Sequence, residues 1–172
     1  MLLMSYGEHG IILYMSTTLM TLCIVHDDKR ILLGYKKIGF GAGFWNGFGG
    51  KVEQGETVSE AAKRELHEEV GLTANDLAYM GILQFRTERS QNVKEVHVFR
   101  VSTWIGEPRE SEEMRPQWFV LEQISYDTMW PPDRHWLPMF LDGKKFIGDF
   151  VFRMRGDIKE IVSYTLDEVK TL

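Results

Sequence analysis

Glu65, Glu68 and Glu69 are related by steps of three and four, so on a helix they share one side, beside an apolar stripe of Ala62, Leu66 and Val70. Such a set of carboxylates has two readings. One is a solvated acidic face, where like charges destabilise an isolated helix by about 0.2 to 0.5 kcal/mol per pair, a cost that the nearby Lys63 and Arg64 partly offset. The other is a site for a hard divalent cation, which prefers carboxylate oxygens and keeps some of its waters for a phosphate substrate. Zinc is disfavoured, because His67 lies off this side of the helix and Cys23 is remote in sequence.

The helix that must carry these groups has both ends written in its residues. Thr57 with Glu60 forms a capping box, the interior is rich in Ala, Glu, Lys and Leu, and Gly71 supplies the stop. Ahead of it, six glycines stand among aromatics between Gly39 and Gly50, a loop whose backbone must approach something closely. Strands are expected over Leu19–Val25 and Arg30–Lys37 as a hairpin, then over Ala78–Thr87 and Glu95–Thr103. A shorter one, Trp118–Leu121, follows a break at Pro116. Asp133–Leu141 reads as a short helix, with Pro138 marking its middle or end, and Phe146–Arg153 and Ile161–Tyr164 read as late strands before a frayed turn at Leu166–Leu172. The pattern is α/β, a mixed sheet covered by helices within one domain over 15–172, preceded by an N-terminal extension over 1–14.

Composition narrows the function. With 44% hydrophobic and 26% charged residues the 172-residue chain is of the globular type, and its net charge of -5 argues against tracking a nucleic-acid polymer. The most apolar stretch, Gly10–Val25, is interrupted by Ser16, Thr17, Thr18 and Thr21 and is too short to span a bilayer, so no membrane partner is expected. Cys23 is the only cysteine, which excludes a disulfide within the chain and fits a reducing compartment. The leader region carries Glu8 and no basic run, and Met15 offers a second start. We expect a monomer acting on a small molecule in the cytoplasm, with the nucleus and mitochondria as further locations.

Gly50, then Glu56, then Arg64-Glu65-Leu66-His67-Glu68-Glu69-Val70-Gly71-Leu72 is similar, position for position, to the signature of the Nudix hydrolase family. The resemblance implies the Nudix fold, an α/β/α sandwich around a mixed sheet, and a Mg²⁺-dependent pyrophosphohydrolase. It implies metal ligands at Glu65, Glu68 and Glu69, joined by the Gly49 carbonyl and by Glu113. Glu68 or Glu69 would take the proton of the attacking water, and Arg64 would clamp Glu65 or Glu56. For Arg64 the plain alternative is a surface pair with Glu60.

Further segments resemble the branch of the family that hydrolyses oxidised purine nucleoside triphosphates such as 8-oxo-dGTP and 2-oxo-dATP, with N6-methyl-dATP as a further candidate. These are Gly39-Phe40-Gly41-Ala42-Gly43, Trp45-Asn46-Gly47-Phe48-Gly49-Gly50-Lys51, Glu113-Met114-Arg115-Pro116 and Met129-Trp130-Pro131. Trp130, Phe40, Phe85 and Met114 would wall a purine, and Asn46 and Asp133 would read its edge. Thr21, Leu22, Lys36 and Trp136 would surround base and sugar, and Phe48, Gly49, Gly50, Lys51, Pro131 and Pro132 complete the expected contacts. Ordinary core packing is the alternative for Phe85, Leu22 and Trp136, and a turn before Gly47 for Asn46.

Two departures stand out. The branch carries adjacent aspartates after the Trp-Pro pair, where this chain has Pro132 then Asp133, and Phe85-Arg86-Thr87 puts a polar residue where a second aromatic is expected. A close carboxylate pair can share a proton and present donor or acceptor, so a lone Asp133 points to a different ranking of damaged purines. The rival readings are another nucleoside diphosphate derivative, such as a dinucleoside polyphosphate, nucleotide sugar or RNA cap, and a non-catalytic nucleotide-binding module. A P-loop is excluded, since Lys51 is followed by Val52 and no glycine stands at Trp45.

Overall fold

A computed structural model describes residues 4–6, 12–14, 16–39, 41–90, 92–155 and 158–172, with 4–6, 12–14, 154–155 and 158–159 as backbone only. Phe40 and most of the expected 1–14 extension lie outside these residues. In chain order the elements are β1 (Met4–Tyr6), β2 (Ile12–Tyr14), β3 (Thr17–His26), β4 (Arg30–Lys36), β5 (Trp45–Asn46), α1 (Val58–Val70), β6 (Thr73–Ala74) and β7 (Ala78–Thr87). Then come β8 (Val93–Val101), β9 (Trp104–Ile105), β10 (Met114–Val120), α2 (Asp133–Leu141), β11 (Lys145–Arg155) and β12 (Ile158–Val169).

The main sheet runs β10-β4-β3-β8-β7-β11-β12, with β5 paired to β4. It is mixed as expected: β3 with β8 and β7 with β11 are parallel, the other neighbours antiparallel. β3 and β4 pair only at Val25 and His26, then diverge. The glycine loop fills the opening, its 48–52 segment bonding back to β3 through Cys23 N–H to Phe48 O (2.6 Å), Thr21 N–H to Gly50 O (2.8 Å) and Val52 N–H to Leu19 O (3.0 Å).

Side-chain alternation assigns the two faces. Cys23, Val25, Leu32, Phe48 and Phe99 pack with Leu66 and Val70 of α1, whereas Ile24, Ile31, Leu33, Leu83 and Phe150 pack with Trp136, Leu137 and Phe140 of α2. The helices therefore cover opposite faces, the layered arrangement that the α/β reading expects. Cys23 is fully buried and its Sγ–H reaches the Ala62 carbonyl of α1 at 3.4 Å.

Two of the boundaries that differ from expectation have a cause in the sheet. Pro116 does not break a strand: β10 runs through it from Met114, because β10 is the outer strand of the sheet, where a missing N–H is tolerated. The turn expected at Leu166–Leu172 is strand as far as Val169, held in register by Leu166 opposite Gly148 and Val169 opposite Lys145. Pro138 lies inside α2, three residues before its end. No helix among the described residues is long and apolar enough to cross a membrane.

Candidate active site

Helix α1 begins as its sequence demands. Thr57 accepts from the Glu60 N–H (3.2 Å), Glu60 accepts from the Thr57 N–H (2.8 Å), and Gly71 closes the helix at φ 76°. This fixes the rotation of the helix and so the order of burial of its carboxylates. Glu69 is only 4% exposed, Glu65 is half-buried and Glu68 is exposed.

Each carboxylate has a partner. Arg64 grips Glu56 with Nε to Oε1 (2.6 Å) and Nη2 to Oε2 (2.9 Å), while its Nη1 donates to Glu65 (2.9 Å) and Glu68 (3.1 Å). Glu60 is occupied by the capping box, so it is not the partner of Arg64. The Arg64 guanidinium, with the Glu53 N–H, holds the Glu56 carboxyl down at about 2. Glu69 accepts from the Gly49 N–H (2.7 Å) and from Lys36 Nζ (2.8 Å), and Lys36 also donates to Glu113 (3.1 Å). Burial raises the proton affinity of Glu69 and outweighs Lys36 and the Gly49 N–H, which oppose it. Burial pulls Lys36 the other way, yet Glu69 and Glu113 together hold its pKa above the ordinary lysine value.

The glycine loop lets these groups approach. A Cβ on Gly50 would lie 2.5 Å from Glu65 Cδ, and one on Gly49 would lie 2.6 Å from the Thr21 carbonyl carbon. Phe48 and Gly50 turn toward β3, so by alternation Gly49 faces the other way, where its N–H meets Glu69.

Two cavities open on this framework. An acidic cleft is lined by Glu65, Glu68, Glu69, Glu112 and Glu113 with Ser111. Among the described residues no three carboxylates lie within joint reach of one ion as they stand; Arg64 holds Glu56, Glu65 and Glu68, and Lys36 holds Glu69 and Glu113. The donor set nevertheless fits a hard divalent cation, being carboxylate oxygen throughout, with a glycine where any side chain would push Glu65 out.

The second cavity, about 230 Å³, gathers most of the residues expected at the base: Thr21, Leu22, Lys36, Asn46, Gly49, Gly50, Lys51, Phe85, Met114, Trp130, Asp133 and Trp136. Glu113 lines both cavities. Phe85 meets Trp130 edge to face at 5.2 Å, making a rigid aromatic wall. Thr21 lines this cavity, and its buried Oγ1 has no hydrogen-bond partner among the described residues. Asn46 donates to the carbonyls of Phe44 (2.9 Å) and Gly41 (3.3 Å), so the turn role and a place at the cavity coexist. Asp133 accepts from Trp136 Nε1 at 3.0 Å, and burial pushes its carboxyl up to about 7 against that bond.

Three expected contacts stand apart from the cavity. Phe48 is fully buried in the core beneath α1, because alternation turns it away from the α2 face, and Pro131 and Pro132 form the entry to α2 without lining the cavity. Conversely, Met20, Leu83 and Val96 line the cavity floor and were not foreseen. Met20 continues the alternating series Ile24, Leu22, Met20 of β3, a signal present in the sequence, whereas Leu83 and Val96 join it only through strand pairing.

The NUDIX domain model matches residues 17–140. The oxidized purine nucleoside triphosphate hydrolase of mouse (Mus musculus) is 51% identical over 156 residues, 90% of this chain and 98% of that protein. The zebrafish (Danio rerio) protein of the same description is 48% identical over 157 residues, 91% and 99% of the two chains. Among solved structures, a mutator MutT protein from Bacillus halodurans superposes with a TM-score of 0.75 at 26% identity, covering 87% of this chain and 97% of that one. Hydrolases of this type generally need a divalent metal. A helix, a loop and a pair of cavities so arranged, on a chain matched over most of its length, place this protein in the NUDIX family.

Proposed function

We propose that this chain is a Mg²⁺-dependent pyrophosphohydrolase that converts oxidised purine nucleoside triphosphates to monophosphate and pyrophosphate. The observation that carries the reading is the junction at Glu113, where an aromatic cavity meets a cleft of carboxylates. A space of about 230 Å³ is smaller than the usual pocket for a whole ligand of roughly 300 to 1,000 Å³. It suits the base, leaving the triphosphate to trail over the acidic cleft. The names of the mouse and zebrafish relatives support the substrate class.

Glu65, Glu68 and Glu69, with Glu113 and the Gly49 carbonyl, are the residues that would hold the metal. When bound, it supplies charge neutralisation for the phosphates and a more acidic water. The chain's own part is orientation and proton handling. Glu69 is the better base of the two considered, because burial raises its proton affinity while Glu68 is exposed and tied to Arg64. Arg64 is a positioning residue, fixing Glu56, Glu65 and Glu68 through one planar fork. Trp130 and Phe85 present ring faces and edges to the purine, and Asn46 and Asp133 supply polar groups at its rim.

The chain works as a monomer on free nucleotides, residues 15–172 acting as one domain. Its single cysteine, incapable of a disulfide within the chain, suits the cytoplasm. The test is a set of specificity constants for 8-oxo-dGTP, 2-oxo-dATP, N6-methyl-dATP and undamaged dGTP with Mg²⁺. A preference for the oxidised purines, with unequal values among them, is expected. Preference for undamaged dGTP would remove the substrate assignment and leave the hydrolase class standing.

A further inference from the structure

Two cations hold the carboxylates of this site, and they hold them differently. Arg64 donates to Glu65 and Glu68, yet its Nε and Nη2 are also committed to Glu56, and Nη2 to the Lys51 carbonyl at 3.1 Å. It therefore keeps its place if Glu65 and Glu68 turn to a metal. Lys36 has no such anchor. Among the described residues its ammonium donates only to Glu69 at 2.8 Å and Glu113 at 3.1 Å, both of them proposed ligands.

Strand geometry fixes the rest of Lys36. It is the last residue of β4 and stands opposite Met114 of β10, a register continued by the Lys37 N–H, which donates to the Glu113 carbonyl at 2.8 Å. The Lys36 N–H donates to the Phe44 carbonyl (3.0 Å), and the Lys36 carbonyl accepts from the Gly43 N–H (2.9 Å). Only the flexible four-carbon stem is left to move, and Lys36 lines the base cavity with Gly49, Gly50 and Lys51. The two carboxylates are also unequal. Glu69 is retained by the Gly49 N–H when the ammonium leaves, whereas the Glu113 side chain is 52% exposed and its carboxylate is held, among the described residues, by Lys36 alone. The Lys36 side chain is 13% exposed and that of Glu69 5%, so charges meeting there are weakly screened. One ammonium offsets half the charge of the carboxylate pair, and a divalent ion on the same oxygens offsets all of it; at such range the two cations repel strongly.

We propose that Lys36 is an exchange cation: a divalent metal displaces its ammonium from Glu69 and Glu113, and the released head turns to the base cavity and meets a phosphate oxygen of the nucleotide. Metal loading thereby readies the cavity for an anion, and by linkage the nucleotide tightens the metal. The proposal rests on the metal reading given above.

The test uses the full chain at pH ~8, where glutamates are ionised, with the metal alone as the first probe. Mn²⁺ counted by electron paramagnetic resonance should bind Lys36→Met and Lys36→Gln about tenfold more tightly than the parent, the worth of one hydrogen bond to a charged group. In nitrogen NMR spectra of the parent, the Lys36 ammonium signal, assigned by through-bond correlation along its side chain, should shift as Mg²⁺ is added to saturation; this reading stands even if the variants are unstable. The monophosphate 8-oxo-dGMP should gain affinity from Mg²⁺ in the parent, and gain about tenfold less in either variant. Equal or weaker Mn²⁺ binding by the variants, or an ammonium signal that saturating Mg²⁺ leaves unchanged, overturns the exchange. An equal gain for 8-oxo-dGMP in parent and variants overturns the delivery of the ammonium to the nucleotide. Absence of Mn²⁺ binding in all three proteins would overturn the metal reading itself.

Discussion

The two faces of the sheet give the same functional group different partners. On the α1 face, Glu56 and Glu65 are pinned by Arg64 and Glu69 by Lys36, so the carboxylates are held beside cations at short range. On the α2 face Asp133 has no cationic partner among its described bonds; it is buried, accepts one indole N–H, and has its carboxyl pushed up to about 7. One face sets its carboxylates beside cations, as the proposed chemistry on phosphates needs, and the other keeps a carboxyl near its midpoint, as the proposed reading of a base needs. Environment alone separates the roles.

The sharpest way to break this contrast is to remove charge from the α1 face. Glu69→Gln should lower kcat by about 10²- to 10⁴-fold while purine affinity measured by calorimetry and the circular dichroism of the fold persist. Turnover close to that of the parent would dissolve the role given to this face. Arg64→Lys keeps the charge and loses the fork, so a fall of about 10- to 100-fold in kcat with little change in KM is expected. If KM rises instead, Arg64 touches substrate and is more than a positioning residue.

On the α2 face the expected losses are in binding. Trp130→Ala should raise KM by about tenfold, within the range of roughly 1 to 3 kcal/mol for one base stacked on an aromatic ring, and leave kcat nearly intact. Asp133→Asn sharpens the comparison through pH. The unfolded carboxyl titrates near 3.8 and the folded one near 7, so between these values the native state binds more protons. Stability from this group is complete below the lower value and is lost as pH rises through the upper one. Urea titrations should show the parent losing up to about 4 kcal/mol relative to Asp133→Asn on going from pH ~4 to pH ~8. The same substitution should flatten any change in substrate ranking across neutral pH; a parent protein whose ranking is already constant from pH ~6 to pH ~8 would show that the carboxyl does not read the base. Smallest of all, Thr57→Ala should cost about 1 kcal/mol by removing the cap of α1, measured as a lower thermal midpoint.

What could be read in advance follows the range of the signal. α1 is local: Thr57, Glu60 and Gly71 bound it within fifteen positions, and the spacing of Glu65, Glu68 and Glu69 specifies a shared side without knowledge of the sheet. Pro116 misleads because its tolerance depends on β10 being outermost, a property of strand order that no neighbouring residue announces. Phe48 was expected in the pocket and lies beneath α1, since its direction is decided by the way the loop pairs with β3. Lys36 was placed by resemblance at the base and sugar; that it also bridges Glu69 to Glu113, across 33 and 77 positions, emerges only when β4 is laid beside β10 and α1.

The buried thiol beneath α1 has a further meaning for a protein proposed to act on oxidised nucleotides. Burial, reinforced by the charges of Glu69 and Glu65, drives the proton affinity of Cys23 far above that of an ordinary cysteine, and no part of it meets solvent. Peroxides attack thiolates that they can reach, and this sulfur is neither ionised nor reachable. Under the conditions that would generate the most substrate, the chain offers no thiol through which it could be switched off.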